Sequence, residues 1–222
     1  MNSPDSFFSN IRNLGFATTA ILDVGANRGD WSRIAAKYFP GAAFLLIEPQ
    51  EEMRPFLEEF CREHPPSQYF LTAAGSQSGT ATITIWDDLA GSSLLPPADE
   101  VLRNAGKQRD IPVARIDDLL QESAASIPSL VKLDVQGYEL EALRGASTLF
   151  GVTDLFVLEV SFFDFYPHQP ILHDVVAFMA ERQYFAYDIV GGIRRPYDQA
   201  LGQMDLVFAR DGSALRSSNR WS

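Results

Sequence analysis

The stretch ILDVGANRGDW, residues 21–31, runs from an apolar segment directly into a turn of small residues. Ile21 and Leu22 read as the interior of a buried strand. Beyond the turn, Trp31, Ile34, Ala35 and Tyr38 recur at the i, i+3, i+4, i+7 spacing of a helix. A strand feeding a helix through so bare a turn opens a βαβ unit, and such sheets bind ligands at the carboxyl ends of their strands. Gly25 and Gly29 remove side chains where a ligand passes, and Asp23 sets a carboxylate ahead of them.

The same pattern continues outward. AILDV, AAFLLIE, SLVKLDV and LFVLEV are nearly continuous apolar runs, as expected of parallel strands covered on both faces. Met53, Phe56, Leu57 and Phe60 mark a helix after the second run, with Pro55 near its start, where proline is tolerated. Ile171, Val175, Phe178 and Met179 mark another. The alternation predicts a doubly wound α/β sheet. QYFLTAAG reads as its third strand, ending in Ala73, Ala74 and Gly75. Residues 80–115 break the rhythm. TATITIW alternates like a half-exposed strand and QRDIPVARIDDLL holds another, so a hairpin-like elaboration is expected after the third strand. QYFAYDIV and MDLVFAR, with no helix between them, predict an antiparallel pair at the sheet edge. One domain is expected, with its core over about residues 12–210.

Composition narrows the partners. With 222 residues, 46% apolar, the chain suffices for one large α/β domain. Lys and Arg number 18 against 29 Asp and Glu, a net charge of −11. Nucleic acid and anionic membranes both need a basic face, so neither is expected as a partner. A single cysteine, Cys61, excludes an internal disulfide and Cys-based zinc patterns, and it reads as a half-buried helix residue. The opening MNSPDSFFSN lacks a signal peptide's basic end and apolar core, and no run approaches the roughly 18 apolar residues of a membrane span. A cytoplasmic protein is expected. The edge hairpin offers a contact for a homodimer.

The turn itself chooses between nucleotides. A dinucleotide site takes G-x-G-x-x-G around a pyrophosphate. Here the spacing is D-x-G-x-x-x-G, from Asp23 through Gly25, Ala26 and Asn27 to Gly29. A carboxylate before the glycine repels a pyrophosphate but suits the ammonium and sulfonium of S-adenosylmethionine. A tight turn capped by Asn27 is the purely structural alternative. Glu48, at the tip of the second strand before Pro49, is placed to accept two hydrogen bonds from a ribose, in either cofactor. Ala74 and Gly75 leave room for an adenine.

On the other side of the pocket, LVKLDVQGYELEALRGA ends a strand at Asp134, turns at Gly137, and opens a helix at Glu139. Methyl transfer asks chiefly for positioning and for removal of the acceptor's proton. Asp134 is placed to orient the acceptor, to act as base, or to hold the cofactor's amine. Glu139 reaches the same mouth, or simply favours the helix dipole. Lys132 within the strand reads as ion-paired or snorkelling. His168, after the aromatic loop Phe162–Tyr166, is the histidine best placed for base catalysis near neutral pH. Asp134, Glu139, Glu159 and His168 together would make an oxygen-rich magnesium-type site, though no spacing fixes one, and none is assigned.

Taken in order, DVGANRGDW, IEP, AGSQSGTATI with GSSLL, VARIDDLL, VKLDVQGYELEALRGA, LEVSF and QMDLVFAR resemble the FkbM-type S-adenosylmethionine-dependent methyltransferases over roughly residues 12–210. The resemblance implies a class I methyltransferase fold: a seven-stranded, mostly parallel sheet whose last strand is antiparallel. It implies O-methylation of a sugar or natural-product hydroxyl, a cofactor loop at Asp23, Gly25, Asn27 and Gly29, and a ribose acid at Glu48. Relatives often carry glutamate where this chain has Gln136. Two other readings stand beside it: a nicotinamide oxidoreductase, and an S-adenosylmethionine-binding module without catalysis.

Overall fold

The computed structural model describes residues 2–87, 89–97, 104 and 107–221. Helix α1 (Pro4–Asn13) is capped by Ser3, whose side chain accepts the Ser6 N–H. Then come β1 (Ala20–Val24), α2 (Asp30–Tyr38), β2 (Ala43–Ile47), α3 (Arg54–Glu63), β3 (Gln68–Phe70), β4 (Ala73–Ala74), β5 (Gly79–Ile85), β6 (Lys107–Ala114) and α4 (Ile116–Ser123). The second half runs β7 (Leu130–Leu133), α5 (Glu139–Arg144), β8 (Leu155–Ser161), α6 (Leu172–Glu181), β9 (Tyr184–Arg194) and β10 (Leu201–Arg210).

Among the described residues, seven strands form the main sheet in the order β3-β2-β1-β7-β8-β10-β9. β1 lies parallel between β2 and β7, and β8 continues the parallel set. β10 runs antiparallel to both β8 and β9, as the closing hairpin pattern predicts. Apolar layers cover both faces, which is why the central strands read as unbroken apolar runs. Leu22, Val24, Val131 and Leu133 pack with Leu119, Leu140 and Val175 on one face. Ile21 and Leu130 pack with Phe7, Phe8, Leu57 and Phe60 on the other. Phe7, Phe8 and Ile11 are fully buried, each worth about 1.5–3 kcal/mol of removal from water.

The third strand is shorter than the sequence suggests. It ends at Phe70, and Ala73–Ala74 pair instead with Val113–Ala114 in a second, three-stranded sheet of order β4-β6-β5. Thr72 makes the crossing: buried, its hydroxyl donates to the carbonyls of Ala73 and Pro112. β5 and β6 form the antiparallel elaboration expected over residues 80–115. The small sheet also explains Gly75 and Gly145. A Cβ on Gly75 would lie 2.7 Å from Val113, and one on Gly145 would lie 2.1 Å from the Gly75 carbonyl oxygen. Among the described residues, no helix is long and apolar enough to cross a membrane.

Candidate active site

A cavity of about 280 Å³ opens at the carboxyl ends of β1, β2, β7 and β8. Gly25, Asn27, Glu48, Pro49 and Asp134 line its floor, and Ala73, Ala74, Ile83, Ser92 and Leu94 come from the small sheet and its following loop. Among the described lining residues the charged ones are Glu48, Asp134 and Glu159, all carboxylates. Such a lining suits a cation and repels a pyrophosphate. The turn is shaped for close approach: at Gly25 φ is +77°, and a Cβ would lie 1.9 Å from the Asp134 carbonyl oxygen.

Glu48 organises this turn. The Asn27 N–H donates to its Oε2 and the Gln50 N–H to its Oε1, both at 2.9 Å. Asn27 reaches that position with φ of +47°. Burial pushes the Glu48 carboxyl above its ordinary range, against the pull of the two amides. Glu48 itself lines the cavity.

Asp23 lies beneath the floor rather than in its lining. Strand alternation turns it to the same face as Ile21, where the Ser32 hydroxyl of α2 donates to its Oδ2 at 2.6 Å. Its other oxygen, buried, has no hydrogen-bond partner among the described residues. Directly opposite in register stands Lys132, whose Nζ lies 3.9 Å from Asp23 Oδ1 and 3.1 Å from Asp134 Oδ2. Lys132 is therefore an ion-paired central lysine, 6% exposed. Burial alone would favour its neutral amine, yet Asp134 and Asp23 outweigh it and hold the ammonium above its ordinary range. Burial pushes the Asp23 carboxyl upward against Lys132 and Ser32.

Glu139 faces away from the cavity. Its Oε1 accepts the N–H groups of Val135 and Gly137, at 3.0 and 3.2 Å, and so closes the turn between β7 and α5. That turn runs through Gln136 and Gly137, with φ of +53° and +95°. Burial raises the Glu139 carboxyl from its ordinary 4.5 to about 7, against the backbone donors. The folded protein thus holds this proton more tightly than the unfolded chain. Stability falls as pH rises from 4.5 to 7 and levels off above, by on the order of 2–3 kcal/mol. Glu139→Gln keeps the oxygen acceptor and removes the titration. Denaturation is expected to find the variant close to wild type at pH 4 and more stable by that amount at pH 8.

Gln136 bridges two carboxylates. Its Nε2 donates to Asp134 Oδ1 at 2.9 Å and to Glu159 Oε2 at 3.0 Å. Gln203, on β10, donates to the same Glu159 oxygen at 3.0 Å. Burial, with Asp134, Glu139 and Asp205 nearby, raises the Glu159 carboxyl well above its ordinary range, against Lys132. The family resemblance draws attention to Gln136, whereas nothing in the sequence singles out Gln203. Only the pairing of β10 with β8, which sets Gln203 opposite Ser161, brings Gln203 to Glu159.

The loop after β5 forms the roof. Ser93 pairs with Thr84 through the backbone, and its hydroxyl donates to the Gln136 carbonyl at 2.7 Å. Gln50 Nε2 donates to the Leu89 carbonyl at 3.0 Å, and Tyr166 Oη reaches the Gly91 carbonyl at 3.4 Å. The aromatic loop thus meets the roof. Part of residues 87–110, which carry that roof, falls outside the described residues. Ala26, Gly29, Gly75 and His168 do not line the cavity. Ala26 is buried, donating to the Ile47 carbonyl, and His168 is exposed with φ of +62°. Among the described residues, no three potential metal ligands converge.

Comparison with known proteins gives this geometry a setting. The family model described as the methyltransferase FkbM domain matches residues 23–186. The methyltransferase sdnD of Sordaria araneosa is 27% identical over an alignment of 153 positions, covering 56% of this chain and 59% of that one. The chain thus spans about three-fifths of the length of that relative. Magnesium protoporphyrin IX methyltransferase from Synechocystis PCC 6803, solved with S-adenosylmethionine bound, superposes with a TM-score of 0.53 at 13% identity, over 93% of this chain and 76% of that one. The O-methyltransferase TomG from Streptomyces achromogenes does so at 0.51 and 13%, over 93% and 79%. At such identity the two solved structures speak for the fold alone, which is that of class I methyltransferases.

Proposed function

Because the chain belongs to the FkbM methyltransferase domain family, we propose that it transfers a methyl group from S-adenosylmethionine to a hydroxyl of a small molecule, sugar or natural product. S-adenosylmethionine is its cofactor. The residues present fit that group: a carboxylate-lined cavity, a turn at Gly25 where a Cβ would fill the approach, and Glu48 at the tip of β2. When bound, the cofactor supplies an electrophilic methyl carbon on a sulfonium. Gly25 and Asn27 carry the turn against it, Glu48 holds the ribose, Ala73 and Ala74 make room for the adenine, and Asp134 stands toward the acceptor. The roof excludes water from that centre, which strengthens each polar contact inside.

The observation that carries this reading is that the charge of the described lining comes from carboxylates alone, around a glycine turn, which suits a positively charged nucleoside. Titration calorimetry with S-adenosylmethionine and with NAD(P) tests it. Glu48→Ala is expected to weaken S-adenosylmethionine binding about ten- to a hundredfold, the worth of hydrogen bonds to a charged group. Tight NAD(P) binding without S-adenosylmethionine binding would overturn the assignment. The acceptor is sought by incubating the protein and methyl-labelled S-adenosylmethionine with small molecules extracted from the source cells.

A further inference from the structure

Three carboxylates line the cavity, and their oxygens are not equally engaged. Both Glu48 oxygens accept backbone N–H groups. Both Asp134 oxygens are held, Oδ2 by the Lys132 ammonium and Oδ1 by the Gln136 amide. Glu159 differs: Gln136 and Gln203 both donate to its Oε2, and among the described residues Oε1 accepts no protein hydrogen bond. Glu159 is only partly buried, lines the cavity and is not among the residues with a sealed, unpartnered oxygen, so Oε1 is open to accept a donor. The two amides also fix the Glu159 rotamer, so that oxygen is preorganised rather than mobile.

We propose that Glu159 Oε1 receives the acceptor's hydroxyl and takes its proton during methyl transfer. The inference rests on the methyltransferase reading above and adds the base to it. The acceptor oxygen's lone pair forms the bond to the methyl carbon, the carbon–sulfur bonding pair stays on sulfur, and the neutral thioether leaves. The hydroxyl proton passes to Glu159 and from there to water. Asp134 serves beside it as a positioning residue, its charge committed to Lys132. Asp134, Glu139 and Asp205 surround Glu159 with like charge, while Lys132 is the cation acting on it. They tune the base upward, toward the range in which proton transfer at neutral pH is most efficient. Ile193 and Tyr138 also line the cavity.

The test compares wild type, Glu159→Gln and Glu159→Asp. Calorimetry with S-adenosylmethionine is expected to find binding close to wild type in Glu159→Asp, which keeps the charge, and retained but weakened a few-fold in Glu159→Gln, which removes one of the lining carboxylates. Methyl label from S-adenosylmethionine entering the small-molecule extract is expected to fall about 100-fold or more in Glu159→Gln at pH 7.5, with part of it kept in Glu159→Asp. Independently, protein labelled with ¹³C at glutamate carboxyls and saturated with S-adenosylhomocysteine is titrated by NMR. The resonance missing from Glu159→Gln is expected to titrate well above 4.5. Undiminished labelling by Glu159→Gln overturns the proposal. If wild type binds S-adenosylmethionine but labels nothing in the extract, the NMR midpoint decides, and a value near 4.5 overturns it. Wild-type protein that binds no S-adenosylmethionine defeats the methyltransferase reading itself, which that binding measurement distinguishes from a failure of Glu159 alone.

Discussion

Replacing Lys132 by methionine is expected to cost the folded protein about 3–5 kcal/mol at pH 7.5, the range for removing one partner of a buried ion pair. Methionine matches the lysine stem in length, so packing against Trp31, whose ring centre lies 6.0 Å from the ammonium, is largely kept. The charge balance is not. Asp23 is fully buried, with one oxygen bonded to Ser32 and the other, among the described residues, without a hydrogen-bond partner, and the Lys132 ammonium beside it compensates its charge. The sign with pH follows from the raised Asp23 carboxyl. A folded state that holds a proton more tightly loses stability as pH climbs past the unfolded value of 3.8. Without Lys132 that folded value rises further, so the deficit is expected to be largest above neutrality and to shrink toward pH 4. Asp23→Asn in the same chain is expected to recover most of the loss, because asparagine still accepts the Ser32 hydroxyl. Urea unfolding of the two single variants and the double variant at pH 5 and 8 gives the coupling directly. Equal destabilisation at both pH values would contradict it.

Gly25→Ala is expected to be nearly as costly and to remove cofactor binding as well. Two penalties combine. A left-handed φ costs a residue with a Cβ about 1–2 kcal/mol. The new methyl also meets the Asp134 carbonyl oxygen at 1.9 Å, and relieving an overpacked contact costs about 1–3 kcal/mol. That carbonyl cannot swing away freely, because the Asp134 N–H donates to Val24 at 3.0 Å and ties the end of β7 to β1. A loss of about 3–4 kcal/mol in stability, with S-adenosylhomocysteine affinity down more than about 100-fold, is therefore expected by thermal unfolding and calorimetry. Gly29→Ala is the control. Its φ is also +77°, but the nearest atoms to a Cβ stand 3.7 Å away, so only the backbone cost of about 1–2 kcal/mol applies. A Gly25→Ala variant no less stable than Gly29→Ala would refute the close approach.

Much of this was legible before any coordinates. The central strands are covered on both faces, so their apolar runs betray them, and the helix from Glu139 to Arg144 starts where its sequence says it does. Glu48 and Asp134 were legible as cavity residues because each lies just past the carboxyl end of a strand. What escaped depends on partners far along the chain. Ala73 and Ala74 look like the end of a third strand, but their ladder lies with Val113 and Ala114, and nothing local marks that choice. Asp23 appeared to be a ligand group because its register opposite Lys132 was unknown. Glu139 was read toward the mouth, yet the turn through Gln136 and Gly137 folds it back on its own backbone. That reversal is a property of dihedral angles, which a residue pattern does not encode.

Floor and roof of the cavity have separate origins in the chain. The floor comes from strand ends locked into the central sheet, whereas the roof hangs from an excursion over residues 79–114 whose described strands pair with each other and with Ala73–Ala74. Exchanging residues 89–95 between kindred proteins should therefore change which molecules are admitted while leaving the nucleoside berth intact. On that expectation, the choice of clientele would rest on a canopy strapped to the foundations through Ser93 and Gln136, and could change without rebuilding them.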